Sequence, residues 1–391
     1  MSGFRFEIEA PVVVTQAEPG INKWGQWQFP SNLFRLSDGS IGVGYSTAQD
    51  SAAGFSESYA ISRDEGGSWE LVEHYPAADG IALRNGDWLR IKMMSGLDAA
   101  WVELPPFEKR VYHGVVEMDF YPLESIPYAL RGYRLERYNV ETGKWTMERH
   151  HVSTPGAYMY VSRDDMSCHP FGTPGDYLTP QNAYRLCVGP DGKVWMLSYQ
   201  SMRCDGHPFV SSAFYVSEDD GHTFRYLSHI TFDESFEIQK INEHPEKGPL
   251  YEGFDEPDIA FMPDGSIICL LRTGKESFIT RSVDDGATWS RPVLFDTLGG
   301  MPSMAQLACG TIIAVYGRPG VHLKATRDPS GMDWSERFTV LPTTGRTCAN
   351  CGIIPLADDT ALITYSDFEY PNPDGVPVKT ILSRKVRAYE V

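Results

Sequence analysis

One eight-residue turn recurs along this chain, and the recurrence constrains what the chain can fold into. It reads Ser62-Arg63-Asp64-Glu65-Gly66-Gly67-Ser68-Trp69, then Ser217-Glu218-Asp219-Asp220-Gly221-His222-Thr223-Phe224, then Ser282-Val283-Asp284-Asp285-Gly286-Ala287-Thr288-Trp289. The shared pattern is Ser-x-Asp-x-Gly-x-Ser/Thr-aromatic. Two looser copies follow the same outline: Thr326-Arg327-Asp328 running to Trp334 with one extra residue, and Tyr138-Asn139-Val140-Glu141-Thr142-Gly143-Lys144-Trp145. The spacing has a physical basis. The Asp accepts backbone N–H bonds across its own turn, the Gly takes a positive φ, and the aromatic folds back onto the sheet beside the turn. A repeat of this kind marks one supersecondary unit following another.

A second repeat interleaves with the first: an apolar run, a tight turn, another apolar run. It appears around Asp38-Gly39, Asn85-Gly86, Asp191-Gly192, Asp264-Gly265, Cys309-Gly310 and Asp358-Asp359. Asp-Gly and Asn-Gly between β-patterned runs are strong hairpin signals. A four-stranded unit repeated around an axis is a propeller blade. The expected fold is therefore all-β, a six-bladed β-propeller forming one domain over residues 1–391. Its blades fall at about 24–75, 78–150, 175–230, 250–295, 298–340 and 343–391. The N-terminal run from Phe4 to Thr15 is expected to join the last blade and close the ring, because closure removes exposed sheet edges. No long stretch shows a 3.6-residue period with a cap. An insertion in the second blade, about 92–131, and the Gly- and Pro-rich stretch from Asp165 to Thr179 read as long loops. Such loops carry sites when they gather on one face.

Charge and cysteines narrow the partners. A net charge of −18 disfavours nucleic acid and anionic membrane surfaces. The N-terminus lacks an apolar signal core, and no stretch is apolar enough to span a bilayer. Seven scattered cysteines favour reduced thiols and a cytoplasmic location. Cys348-Ala349-Asn350-Cys351 is a lone CxxC without a second pair or a suitably spaced His, so neither a metal nor a cofactor is expected.

The Asp-containing turns on six inferred blades resemble the sialidase superfamily, the proteins with BNR repeats, over essentially the whole chain. That resemblance implies a site on the propeller axis, with three arginines gripping a substrate carboxylate, a Tyr nucleophile activated by a Glu, and an Asp acid/base on an early loop. Glu256, in Asp255-Glu256-Pro257-Asp258, matches the activating carboxylate. Arg272, in Leu270-Leu271-Arg272-Thr273, matches the second arginine, and Arg318, in Tyr316-Gly317-Arg318-Pro319, the third. Asp50 lies on the loop where the family keeps its acid/base. Two positions depart. Gln28, in Trp27-Gln28-Phe29-Pro30, stands where the first arginine belongs, and the expected inner strand of the last blade, Cys348 to Ile353, has no Tyr. The resemblance thus implies the scaffold and half the pocket of a sialidase, with altered chemistry.

Each candidate also has a plain structural reading. Arg272 and Arg318 can bind a carboxylate in bidentate fashion, or pair with acids as glue between blades. Asp50 and Glu256 can share acid and base roles, or belong to solvated loops. Gln28 can bind a sugar hydroxyl. The Trp24-Gly25-Gln26-Trp27-Gln28 cluster fits either a stacked-aromatic sugar platform or packing between the first and last blades. His113, His207 and His322 are structural residues or a base, and Tyr184, Tyr365 or Tyr370 can stand in for the missing Tyr. The expected function is exo-acting hydrolysis of a small, acidic, uronate-containing oligosaccharide. Asp50 and Glu256 are the catalytic pair, and Arg272, Arg318, Gln28, Trp27, Tyr184 and His207 bind substrate. The alternatives are a uronate-specific oligosaccharide lyase and a non-catalytic carbohydrate-binding propeller.

Overall fold

The computed structural model describes the chain apart from residues 1–2, 37, 50–56, 74–79, 92–96, 114–115, 132, 151, 154–157, 172–181, 202–209, 233–234, 237–241, 245–247 and 251–252. Among the described residues the structure is all-β, with a single 3-10 turn at Tyr128–Leu130. The chain forms two compact units. One holds residues 1–79, 258–285 and 289–391; the other holds 80–257 and 286–288.

The first unit is built of antiparallel meanders. Gln28–Arg35, Ile41–Ser46, Glu57–Ser62 and Glu70–Val72 pair in chain order. So do Ser303–Gln306, Ile312–Gly317, Val321–Thr326 and Phe338–Leu341. Asp255–Phe261, which enters this unit at Asp258, leads a third meander of Ile267–Arg272, Ser277–Ser282 and Val293–Asp296. The last sheet, Gly352–Pro355, Ala361–Pro371 and Pro377–Glu390, takes in both N-terminal strands. Phe4–Ile8 lies along Val386 to Glu390, and Val12–Gln16 along Thr380 to Ser383.

Ile41–Ser46, Ile267–Arg272 and Ile312–Gly317 are second strands of their sheets and are buried at every position. Both of their faces are therefore covered, which is why they read as near-continuous apolar runs. Between sheets, Leu323, Ile313, Ile363 and Leu382 form one cluster, and Ile268, Leu270, Ala314 and Tyr316 another.

The second unit holds the sheet of Gly80–Ala82, Trp88–Ile91, Tyr133–Asn139 and Lys144–His150. It also holds Asn182–Val188, Val194–Ser201, Val210–Ser217 and Phe224–Ile230, with Val152–Ser153 added in parallel on the last. The segment read as an insertion does more than loop. Lys109–His113 and Val116–Pro122 pair with Tyr158–Ser162, and Ser167–Phe171 pairs with Leu97–Asp98, to make a separate five-stranded sheet. Ile126, Leu130, Met159 and Cys168 fill a core of their own beside it.

The recurring turns form as their spacing requires. Ser68 donates its backbone N–H and its hydroxyl to the two Asp64 carboxylate oxygens at 2.8 and 2.7 Å, and the Ser62 hydroxyl adds a third bond at 2.8 Å. Asp219 repeats the pattern with Thr223 and Ser217. Trp69 folds back and donates its indole N–H to Ser383 at 2.9 Å. The bonds from Ser68 and Ser62 hold the Asp64 carboxyl down at about 2, against about 3.9 in an unfolded chain. A depressed folded-state pKa stabilises above the unfolded value, and that stabilisation is lost as pH falls through about 2. Urea midpoints taken at about pH 5 and about pH 2.5 should therefore fall less steeply in Asp64→Asn than in the wild type. Equal falls would show that this turn does not contribute to acid sensitivity.

Candidate functional site

Several strand ends of the first unit meet where the sequence places Arg318. Arg318 follows Ile312–Gly317 and adopts φ +79. Its Nε and Nη2 both donate to the Cys348 carbonyl, at 3.0 and 2.7 Å, and Nη2 also reaches Asn350 Oδ1 at 3.2 Å. The guanidinium fork thus grips the 347–351 segment. Other bonds fix that segment too. Asn350 Nδ2 meets the Met301 sulfur at 3.3 Å, Ser303 donates to the Cys351 carbonyl at 2.9 Å, and Cys348 N donates to Ser366 at 3.3 Å. Cys348 and Cys351 are fully buried free thiols. Burial, with Cys348 adding to it, pushes the Cys351 thiol well up. The CxxC is a packed structural element.

Arg272 ends Ile267–Arg272 and is buried. The turn after it, Thr273 to Glu276, lies against Gly299, where a Cβ would come within 2.4 Å of the Glu276 carbonyl oxygen. Gly300 abuts the Gly317 carbonyl in the same way, at 2.5 Å. Asp258, one of the three acids around Pro257, accepts the Met304 N–H at 2.6 Å. Through residues 299–304 the structure therefore brings the Arg272 turn, the end of the Arg318 strand and the 347–351 segment into one neighbourhood.

Gln28 belongs to the same unit. It is fully buried, and neither its amide nitrogen nor its oxygen bonds to a described residue. The residues on either side have positive φ, Trp27 at 51° and Phe29 at 60°, and the pairing with Ile41–Ser46 skips between Gln28 and Asn32. Clustered backbone outliers of this kind mark sites more often than scaffolds. An uncharged carboxamide here suits a hydroxyl partner and cannot replace an arginine's ion pair with a carboxylate.

The two tryptophans beside Gln28 part company. Trp27 packs against Val14, Val43, Tyr45, Ala60 and Ile381 and donates to Thr15 at 3.4 Å. It serves the core between the first and last sheets, the packing half of the sequence expectation. Trp24 remains 44% exposed. It meets Phe29 and Phe368 edge-on, with ring centroids 6.3 and 6.2 Å away, and the Arg318 guanidinium carbon sits 5.7 Å from its own ring centroid. Lys379 is buried and donates Nζ to the carbonyls of Lys23 and Gln26, bracketing Trp24. Burial pulls its pKa down. Sequence reasoning passed over Lys379, because a lysine within an apolar strand reads as an edge residue until its partner carbonyls are known.

Glu256 lies in the second unit, within Asp255–Phe261. It is half-buried and takes φ +44 immediately before Pro257. A residue before proline is ordinarily held extended, so this backbone is strained. His322 is buried and bonded to Pro319 O and Thr339, and burial lowers its pKa. Tyr365 packs within the core of the first unit, and Tyr370 beside it. Asp50 and His207 lie outside the described residues, as does the side chain of Tyr184, whose backbone belongs to Asn182–Val188.

No family profile and no curated protein sequence matches this chain. Solved structures do. A Dyadobacter fermentans DSM 18053 protein of unknown function is similar with a TM-score of 0.63 at 16% identity, covering 98% of this chain and 99% of its own. The GH93 α-L-arabinofuranosidase of Fusarium graminearum, solved with arabinobiose, is similar at 0.54 and 14% identity, covering 97% and 98%. The Penicillium chrysogenum α-L-arabinanase, also complexed with arabinobiose, is similar at 0.50 and 11% identity, covering 96% and 98%. These enzymes are not sialidases, so the sialidase resemblance holds only at the level of a shared scaffold. At such identities the likeness shows the fold: the chain has the all-β, propeller-type architecture of these glycosidases.

Proposed function

We propose that this chain is an exo-acting glycoside hydrolase that takes a small oligosaccharide. One observation carries the reading: the likeness to an α-L-arabinofuranosidase and an α-L-arabinanase, each solved with arabinobiose, spans nearly the whole of each chain. On this reading the sheets form six blades closed by the N-terminal strands, with the five-stranded sheet of residues 97–171 as an addition. Glu256 and Asp50 are the catalytic carboxylates, one protonating the leaving oxygen and the other acting on the anomeric carbon or its water.

The substrate's charge is where the reading departs from the sequence expectation. Arg318 already directs three hydrogen bonds at Cys348 and Asn350, and Gln28 is uncharged. Two of the three positions that the sequence assigned to a carboxylate are therefore committed or uncharged, which favours a neutral sugar. A uronate-containing substrate is the second reading, since a guanidinium fork such as that of Arg272 can bind a carboxylate in bidentate fashion.

The test is turnover of arabinobiose, longer arabino-oligosaccharides and a uronate-containing disaccharide. It is followed both by reducing-sugar release and by near-ultraviolet absorbance. Sugar release from the neutral substrates without absorbance is the expected result. Growth of absorbance on the uronate would reassign the chain as a lyase, and no turnover of any substrate would remove the hydrolase reading in favour of a binding module.

A further inference from the structure

Trp24 is a large apolar side chain held in a fixed pose at the surface. Its loop is bracketed by a buried ammonium: Lys379 donates to the carbonyl of Lys23 on one side and of Gln26 on the other, the latter at 3.1 Å. Burying an ammonium is costly unless it is fully bonded, so the fold has committed a charge to holding this loop. The same ammonium lies 4.8 Å from the Phe368 ring centroid, and Phe368 is one of the two rings that meet Trp24 edge-on. The other, Phe29, adjoins Gln28 and has a positive φ. The indole is thus fixed from Phe29, from Phe368 and from Arg318.

The groups left on Trp24 are those a sugar uses. The residue is 44% exposed, and its indole N–H has no partner among the described residues. A sugar presents C–H groups on one face and hydroxyls at its rim. The first suit the π-face of an indole, and the second suit a free donor. A cation within about 6 Å of the centroid on one side adds electrostatic attraction and pins the ring, so the ligand takes the opposite side. Pre-organisation matters here, because a ring already fixed loses no rotamer freedom when it binds.

We infer that Trp24 is a sugar-stacking subsite, held by Lys379 and Arg318, and that Arg318 acts by positioning this platform and the 347–351 segment. The inference rests on the glycosidase reading above and adds a binding residue to it. It assigns to Trp24 the platform role that the sequence divided between Trp24 and Trp27. The ligand class is a neutral glycosyl residue, bound through its apolar face.

The experiment compares wild type, Trp24→Ala and Trp24→Phe on arabinobiose and arabinotriose. Trp24→Ala is expected to raise KM about 10-fold or more, with kcat changed less than about 3-fold. Trp24→Phe keeps a ring and is expected to hold KM within about 3-fold, while losing the saturable change in tryptophan emission that the sugar produces in wild type. An active wild type with KM unmoved in Trp24→Ala overturns the subsite and leaves the glycosidase reading standing. A wild type that turns over neither sugar overturns both. If Trp24→Ala does not fold, Trp24→Phe decides: a saturable emission change that persists without the indole places the sugar elsewhere, and its loss with KM retained supports the platform.

Discussion

Glu256→Gln is expected to lower kcat by about 10²–10⁴-fold on whichever oligosaccharide the wild type hydrolyses, with KM and the urea midpoint close to unchanged. The exchange keeps the shape of the side chain and the strained backbone at φ +44, and removes only the ionisable group. Backbone strain of this sort costs on the order of 1–3 kcal/mol and persists only where the surroundings enforce it. Here it aims a half-buried carboxylate that an extended pre-proline residue would place elsewhere. One limb of the bell-shaped pH dependence of kcat/KM should vanish in the variant, which a residue of purely structural importance would not cause. Activity retained within about 3-fold, with both limbs intact, would take Glu256 out of the chemistry.

The second large effect concerns stability. Gly66→Ala should destabilise the first unit by about 2–4 kcal/mol. Two costs combine. Gly66 has φ +90, and a Cβ there would lie 2.5 and 3.0 Å from the two Leu362 methyl carbons of the neighbouring sheet. Gly265 separates them. It has φ +84 with nothing within 4 Å of its Cβ direction, so Gly265→Ala should cost only the left-handed backbone term, roughly 1–2 kcal/mol. Urea unfolding of both variants would show the difference, and equal losses would mean that the contact with Leu362 relaxes freely. Gly221 against Leu89 and Gly286 against Trp195 repeat the arrangement in the second unit, at 2.4 and 2.5 Å. The glycine of the recurring turn is thus set by its neighbour as much as by its own φ.

Much of the sheet structure is local, and local features are legible. Hairpins at Asp38-Gly39, Asp191-Gly192 and Asp264-Gly265 form where the dipeptides stand, because the turn needs a left-handed glycine there. The Asp64 and Asp219 turns are readable because each Asp finds its donors within four residues. The five-stranded sheet of residues 97–171 is not readable in the same way. Tyr158–Ser162 finds Val116–Pro122 some forty residues upstream, and no alternation within either strand names the other.

Side-chain partners were the harder part of the site. The Tyr316-Gly317-Arg318 pattern places an arginine at a strand end, yet only the folded 347–351 segment shows that its fork closes on the Cys348 carbonyl. Trp24 and Trp27 look equivalent in sequence. Positive φ at Trp27 and Phe29 breaks the two-residue alternation, so counting along the strand cannot tell which indole turns inward.

The C-terminal strand Pro377–Glu390 carries both N-terminal strands, and the Val391 N–H reaches the Gly3 carbonyl at 2.8 Å. On a ribosome, Phe4–Ile8 and Val12–Gln16 are made long before Pro377–Glu390 and lack this partner until that strand leaves the exit tunnel. Pairing of such sequence separation is slow to find, because the entropy of a very long closure precedes any reward. Until then two β-patterned segments, one carrying the run Val12-Val13-Val14, travel with open edges. The charges on Arg5 and Glu7 interrupt the first of these segments, Glu9 follows it directly, and together they would keep it from pairing with other nascent chains while it waits.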